Sequence, residues 1–343
     1  LARREKAGLP LTRAELGVLL AYAKMTFKET LVESDVPDDR YLEAELFAYF
    51  PSLMRETYAE DIRAHRLSRD IITTRLANAL IDLGGATFVT RVADQTGAEP
   101  AEIARAFVAA RDVFGLSALA REVDALDTAI GGDLQLELYA GLQDLAIGAT
   151  VWFLRNVDMR AGLEAVVARF AAGVAALGPA MPKLLPGSLE IAAQAAEARL
   201  AAGGVPAALA ARIARLGAES AVPDIVLVAE RAGIALEPAA AACFALAERF
   251  RIGRLAELSR RIPVGDYYDA LALDRARGLL ADAHRAIAVA ALSSSGGLDG
   301  WVAARAADVE RTMAAVGEIT GGGPPSGARL PVAAGVGADP AQG

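Results

Sequence analysis

The sequence predicts an all-α protein, a multi-helix array forming either two helical subdomains or a single domain. Three observations carry that prediction. Apolar residues recur every three or four positions in one segment after another, the spacing that gives a helix one apolar face. The 343-residue chain is rich in Ala, Leu and Arg, and only 6% of it is aromatic; Ala and straight-chain residues lose little rotamer freedom in a helix. No period-2 alternation of useful length is present. Ile225-Val226-Leu227-Val228 comes nearest, and Asp224 before it and Glu230-Arg231 after it favour a helix.

Thr12 and Glu15 have the spacing of a capping box, each satisfying a backbone N–H of the first turn. The helix they open carries Leu16, Leu19, Leu20, Ala23, Phe27 and Leu31 at helical spacing and must end before Pro37. A second helix begins near Asp38 and Asp39 and is expected to bury Leu42, Leu46, Phe47 and Phe50. Pro51 suits a first turn and is expected to open a third helix reaching Ala64. A fourth covers Ser68–Leu83, stopped by Gly84-Gly85. Helices follow over Ala86–Gln95, Pro100–Phe114 and Ser117–Asp127, then a long one over Asp133–Asn156 with Leu138, Leu142, Leu145, Ala149, Trp152 and Phe153 on a broad apolar face. Beyond Met159 the chain turns Ala-dominated, with helices expected over Arg160–Leu177, Ser188–Ala202, Pro206–Leu216, Pro223–Ala232, Pro238–Phe250, Tyr267–Leu292 and Leu298–Thr320. Glycines and prolines between 156 and 187 mark the one candidate boundary, so subdomains are expected at 1–160 and 161–320, or a single domain in their place. The Gly/Pro/Ala-rich stretch 321–343 has too little to bury and is expected to be disordered.

A net charge of −8 argues against binding a nucleic-acid backbone. The single cysteine, Cys243, rules out a disulfide within the chain and suits the cytoplasm. No uncharged run approaches the roughly 20 residues of a membrane-spanning helix, and LARREK at the start lacks the apolar stretch of a signal peptide. The absence of an initiator Met fits a piece of a longer polypeptide.

Few residues invite chemistry. Gly321-Gly322-Gly323 follows no strand and runs into two prolines that have no N–H for a phosphate, so no dinucleotide loop is expected there. Neither His65 nor His284 has a Glu three residues earlier, as a di-iron bundle would need, and no metal site is expected. Cys243 lies in the apolar run AAAACFALA and reads as an inert core thiol, while His284, in the charged half of a long helix, reads as a surface or ion-paired residue. The one polar cluster of note is Arg63, His65, Arg66 and Arg69. The arginines are three apart and share a face if their helix is continuous, an arrangement suited to a phosphate or carboxylate. The competing reading is ion pairing at a helix C-terminus, with Asp61 and Asp70 as partners.

Several segments carry a resemblance. LTRAELGVLLAYAK (Leu11 to Lys24), YFPSLMRETY (Tyr49 to Tyr58), HRLSRDIITTRLAN (His65 to Asn78), ATVWFLRN (Ala149 to Asn156) and WVAARAADVERTMAAV (Trp301 to Val316) resemble the region that follows the catalytic domain in the large bacterial NAD-specific glutamate dehydrogenases. Ala14 stands where that family usually has proline, and Ser68 where it usually has a second basic residue. The resemblance implies a non-catalytic C-terminal helical domain, with structural, oligomerising or regulatory duties and with the natural C-terminus present. It also implies that NAD and the catalytic lysine belong to the preceding domain, so that this segment holds no cofactor, no catalytic residue and no activity of its own. The implied partners are the catalytic domain of the same polypeptide and further copies in a homo-oligomer; the arginine cluster is then also a candidate contact with that domain. A free-standing helical interaction module is the alternative.

Overall fold

The computed structural model describes residues 2–320, and it is helical throughout with no strand among them. The stretch expected to be disordered, 321–343, lies outside the described residues. The chain divides into two compact units that alternate along the sequence. One comprises the described residues up to Ser117 and Leu142–Ala168; the other comprises Ala118–Gly141 and the described residues from Arg169 onward.

In the first unit the Arg13–Val32 helix starts as its capping box demands: the Glu15 N–H donates to Thr12 Oγ1 (3.3 Å) and the Thr12 N–H to Glu15 Oε2 (2.8 Å). The Thr12 hydroxyl also donates to Glu15 Oε2 (2.7 Å), and that bond, with the one from the Thr12 N–H and with Arg4 close by, holds the Glu15 carboxyl down at about 2. Phe27 and Leu31, in the C-terminal half, are buried, and the helix packs along Ser68–Gly84. The expected second helix begins later than Asp38. Two 3-10 turns, Val36–Asp38 and Arg40–Leu42, precede Glu43–Tyr49, which buries Leu46. The expected third helix is interrupted: Tyr58 (φ −123°, ψ 38°) separates Ser52–Thr57 from Ala59–Arg63, and Ala64–Leu67 is a turn.

Ser68–Gly84 is the spine of this unit, burying Ile72, Leu76, Leu80 and Ile81. Its end needs two glycines. A Cβ on Gly84 would lie 2.0 Å from the Phe88 ring, and Gly85 takes φ +84°, in the left-handed region that L side chains avoid. That tight exit lets Phe88 drop into the core, edge-on to Phe107 with ring centroids 5.7 Å apart. Phe107 belongs to Pro100–Val113, a helix buried over most of its surface, and Gln143 of the long Gly132–Asn156 helix donates to the Gly84 carbonyl (2.8 Å).

The second unit contains a helical hairpin, Gly187–Ala202 against Ala207–Glu219, turned at Gly203-Gly204. Gly203 is glycine because a Cβ there would meet Leu134 at 2.4 Å. Val222–Ala232, Leu236–Arg249 and Tyr267–Leu292 pack on one another around Ile225, Val228, Ala240, Leu246, Ala288 and Ala291. Three features differ from expectation. Helices at Met181–Leu184 and Ile252–Arg260 join the set, and the closing helix is broken at Arg305 into Gly297–Ala304 and Ala306–Thr320, with the Arg305 guanidinium stacked on Trp301 (4.8 Å).

Candidate functional site

The arginine cluster lies across a helix break, so the shared face that continuity would give does not form. Arg63 ends one helix, Arg66 sits in the turn, and Arg69 is in the first turn of Ser68–Gly84. Each is placed differently. Arg63 donates to Glu60 (2.6 Å) and Glu43 (3.3 Å) and lies over the Phe47 ring (5.1 Å). His65 Nδ1 accepts from the Leu67 N–H (3.2 Å), and its ring meets Phe50 edge-on (5.8 Å). Arg69 reaches across to the end of Arg13–Val32, donating to the carbonyls of Val32 (2.8 Å) and Ser34 (2.6 Å) while pairing with Asp38. There it serves as a C-cap in trans, satisfying carbonyls that the helix itself leaves open. Arg66 is exposed. The ion-pair partners are Glu43, Glu60 and Asp38; Asp70 pairs instead with Lys28 (2.5 Å).

The more tightly built polar site in this unit centres on Arg111. Its Nη1 donates to Glu45 Oε1 (2.6 Å), its Nε to Asp112 Oδ1 (2.7 Å) and its Nη2 to Asp112 Oδ2 (3.0 Å). Arg75 Nε reaches the other Glu45 oxygen (3.1 Å), and the Tyr41 hydroxyl donates to Asp112 Oδ2 (3.0 Å). Burial works against the Arg111 charge, but Asp112 and Glu45 outweigh it and raise its pKa above the ordinary value. Burial, with the Asp112 carboxylate beside it, pushes the Tyr41 hydroxyl up as well, so it remains protonated. Two carboxylates, two guanidiniums and one phenol thus close on one another across Arg40–Leu42, Glu43–Tyr49, Ser68–Gly84 and Pro100–Val113. Every member is used in holding its neighbours, which makes the cluster a cross-link. A clue to it stands in the sequence: Arg111-Asp112 is a charged pair inside the otherwise apolar run AFVAARDVF.

The second unit has its own ties. Arg215 Nη2 and Nη1 donate to Glu190 (2.6 Å) and Glu197 (2.8 Å), clamping the hairpin. Arg285 pairs with Asp224 and Asp282. His284 beside it is half-buried, and its Nε2–H donates to the Cys243 carbonyl (3.0 Å). The histidine therefore faces the interior instead of solvent, because helix Tyr267–Leu292 turns that face toward Leu236–Arg249; burial lowers its pKa. Burial pushes the Cys243 thiol up to about 12, so it is unreactive as a nucleophile. Glu219 is buried with Arg212 Nε 3.8 Å away, and desolvation raises its pKa. Among the described residues no group of three or more His, Cys, Asp or Glu is placed to hold a metal ion, and no helix is long and apolar enough to cross a membrane.

Helices cross-linked by buried ion pairs define an all-α protein whose polar side chains are spent largely on its own architecture. The chain belongs to the glutamate dehydrogenase C-terminal family, whose model matches residues 8–336. It is 36% identical over 297 residues to the NAD-specific glutamate dehydrogenase of Pseudomonas aeruginosa, a match covering 87% of this chain and 18% of that protein. The enzyme of the same name from Halomonas elongata is 33% identical over 299 residues, again 87% of this chain and 18% of the relative. That of Mycobacterium tuberculosis is 32% identical over 272 residues, covering 79% and 17%. The chain thus spans less than a fifth of the length of these relatives.

Proposed function

We propose that this chain works as the non-catalytic C-terminal helical part of a cytoplasmic NAD-dependent glutamate dehydrogenase. The reaction of that enzyme takes L-glutamate, NAD and water to 2-oxoglutarate, ammonia and NADH. In this reading NAD and the reacting groups belong to the rest of the polypeptide, and the present segment supplies structure, helping to hold the homo-oligomer together or to govern how the catalytic cleft closes. The observation that carries the reading is the match of nearly the whole chain to less than a fifth of each relative. It is supported by the fate of the perturbed ionisable groups, which are ion-paired, capped or sealed in the core and so unsuited to trading protons with a substrate.

Two measurements test it. Incubation of the 343-residue chain with glutamate and NAD is expected to yield no NADH; steady NADH formation would refute the assignment of the active site to another part. Removing the segment from the dehydrogenase-length polypeptide is expected to lower glutamate turnover or to dissociate the oligomer by light scattering. Unchanged turnover together with unchanged mass would remove the structural role.

A further inference from the structure

The eight residues Pro51–Tyr58 are all exposed, and the Ser52–Thr57 helix buries none of its side chains. A six-residue helix is too short to persist on its own hydrogen bonds, so packing is what should hold one in place. Yet the large side chains here point outward: Leu53 is 73% exposed, Tyr49 61%, Tyr58 52% and Met54 41%. Met54 and Tyr58 are four apart and joined by the bond from the Tyr58 N–H to the Met54 carbonyl (2.8 Å), the spacing of neighbours on a helical surface, while Tyr49 ends the preceding helix, which the chain leaves at the extended Phe50 before Leu53. Arg55 lies between them, and Leu67 and Arg66, both exposed, follow in the next turn. Tyr, Met and Arg are the residues enriched at protein–protein interfaces, and Tyr and Arg supply many of their energetic centres. Clustered exposed apolar side chains on a folded protein mark a surface that something else covers.

We propose that the Tyr49–Tyr58 face is a docking surface for the remainder of the same dehydrogenase polypeptide, an inference that rests on the functional reading above. The occupant follows from proportion. More than four-fifths of each relative's length lies outside the part this chain matches, so the largest body available to cover the face belongs to the same polypeptide, at the high effective concentration that covalent linkage provides. Arg55 and Arg66 then sit at the rim, where they offer planar hydrogen-bond donors to carbonyls or carboxylates on the covering surface.

Hydroxyl-radical footprinting read by mass spectrometry tests this directly, with Tyr49, Met54 and Tyr58 as probes and Tyr268, 77% exposed in the other unit, as an internal reference. Relative to the 343-residue chain, labelling of Met54 and Tyr58 in the dehydrogenase-length polypeptide is expected to fall about tenfold, as for side chains carried into the dry centre of an interface. A Leu53→Glu, Tyr58→Glu double variant of the long polypeptide should restore labelling at Tyr49 and Met54 to the level of the short chain, and the same changes should leave the short chain's melting temperature where it was. Equal labelling of the long and short chains overturns the proposal. So does protection that appears in the short chain alone as its concentration rises, because the occupant would then be a second copy. The functional reading fails on a different result, glutamate turnover by the short chain or indifference of the long one to losing the segment.

Discussion

Two helices of the same unit, Pro100–Val113 and Ser52–Thr57, stand at opposite extremes. The first buries Ile103, Ala106, Phe107, Val108 and Ala110 and brings a charged arginine into the core. The second has Leu and Met in its sequence and buries nothing. Composition contributes, with nine of the fourteen residues of the first apolar against two of the six of the second, but it does not explain why Leu53 and Met54 stay outside while Arg111 goes in. What separates them is that Pro100–Val113 is surrounded by other helices, so that even Arg111 finds all its partners inside the fold, whereas Ser52–Thr57 contacts chiefly the short Ala59–Arg63 helix that follows it. The lesson concerns partners: burial is a property of what stands opposite a helix face, and an apolar face without one is an open interface.

The contrast can be broken most forcefully at the buried ion pairs. Glu45→Ala removes the acceptor shared by Arg111 and Arg75, leaving the buried Arg111 with Asp112 as its remaining counter-charge, and is expected to destabilise the chain by about 3 kcal/mol in urea unfolding. Phe107→Ala, which empties the space beside Phe88, belongs to the same range, about 3–5 kcal/mol. Gly84→Ala comes next. Its methyl would collide with the Phe88 ring, and overpacking of that kind costs about 1–3 kcal/mol by the same assay. At the other end, Leu53→Ser on the open helix is expected to change the stability of the 343-residue chain by no more than about 0.5 kcal/mol. A loss of several kcal/mol there would mean that the face is already covered within this chain.

Two buried titratable groups in the second unit sharpen the comparison with opposite signs. His284 has a lowered pKa, so the fold holds it neutral; its contribution is complete above the unfolded value of about 6.5 and is lost as the pH falls through the folded one. Melting temperature should therefore decline on acidification from pH 7 to pH 5, and less steeply in His284→Gln. Glu219 has a raised pKa, and any stability tied to its protonated form is present below the unfolded value and lost as pH rises through the folded one. Above the unfolded value its burial is a burden, because the fold disfavours the charged form that the unfolded chain adopts. Glu219→Gln should raise the melting temperature at neutral pH, an advantage that shrinks toward pH 4.

Helix boundaries were legible to within a few residues at most of the glycines and prolines that punctuate the pattern, although the short Met181–Leu184 helix and the Ile252–Arg260 helix were not read from it. The capping box at Thr12 and Glu15 and the stop at Gly84-Gly85 each depend on atoms within one turn of chain, so local sequence suffices to read them. Breaks without punctuation were not legible. Nothing in the letters of Tyr58 or Arg305 forbids a helix, yet the chain breaks at both. The candidate arginine cluster fared likewise: four basic residues in seven positions read as one group, and the turn at Ala64–Leu67 separates them.

The all-α class and the apolar stripes follow from spacing alone, because a helix is made of interactions three and four residues apart, and the family is legible only through the resemblance of particular segments. The alternation of the two units along the chain, the closing of Glu45, Arg75, Arg111, Asp112 and Tyr41 on one another, and the inward turn of His284 are decided only in three dimensions. Tyr41 and Asp112 meet across 71 residues, and His284 and Cys243 across 41. Contacts at that separation depend on which helix faces which, a choice made by the packing of the whole core and by no single stretch within it.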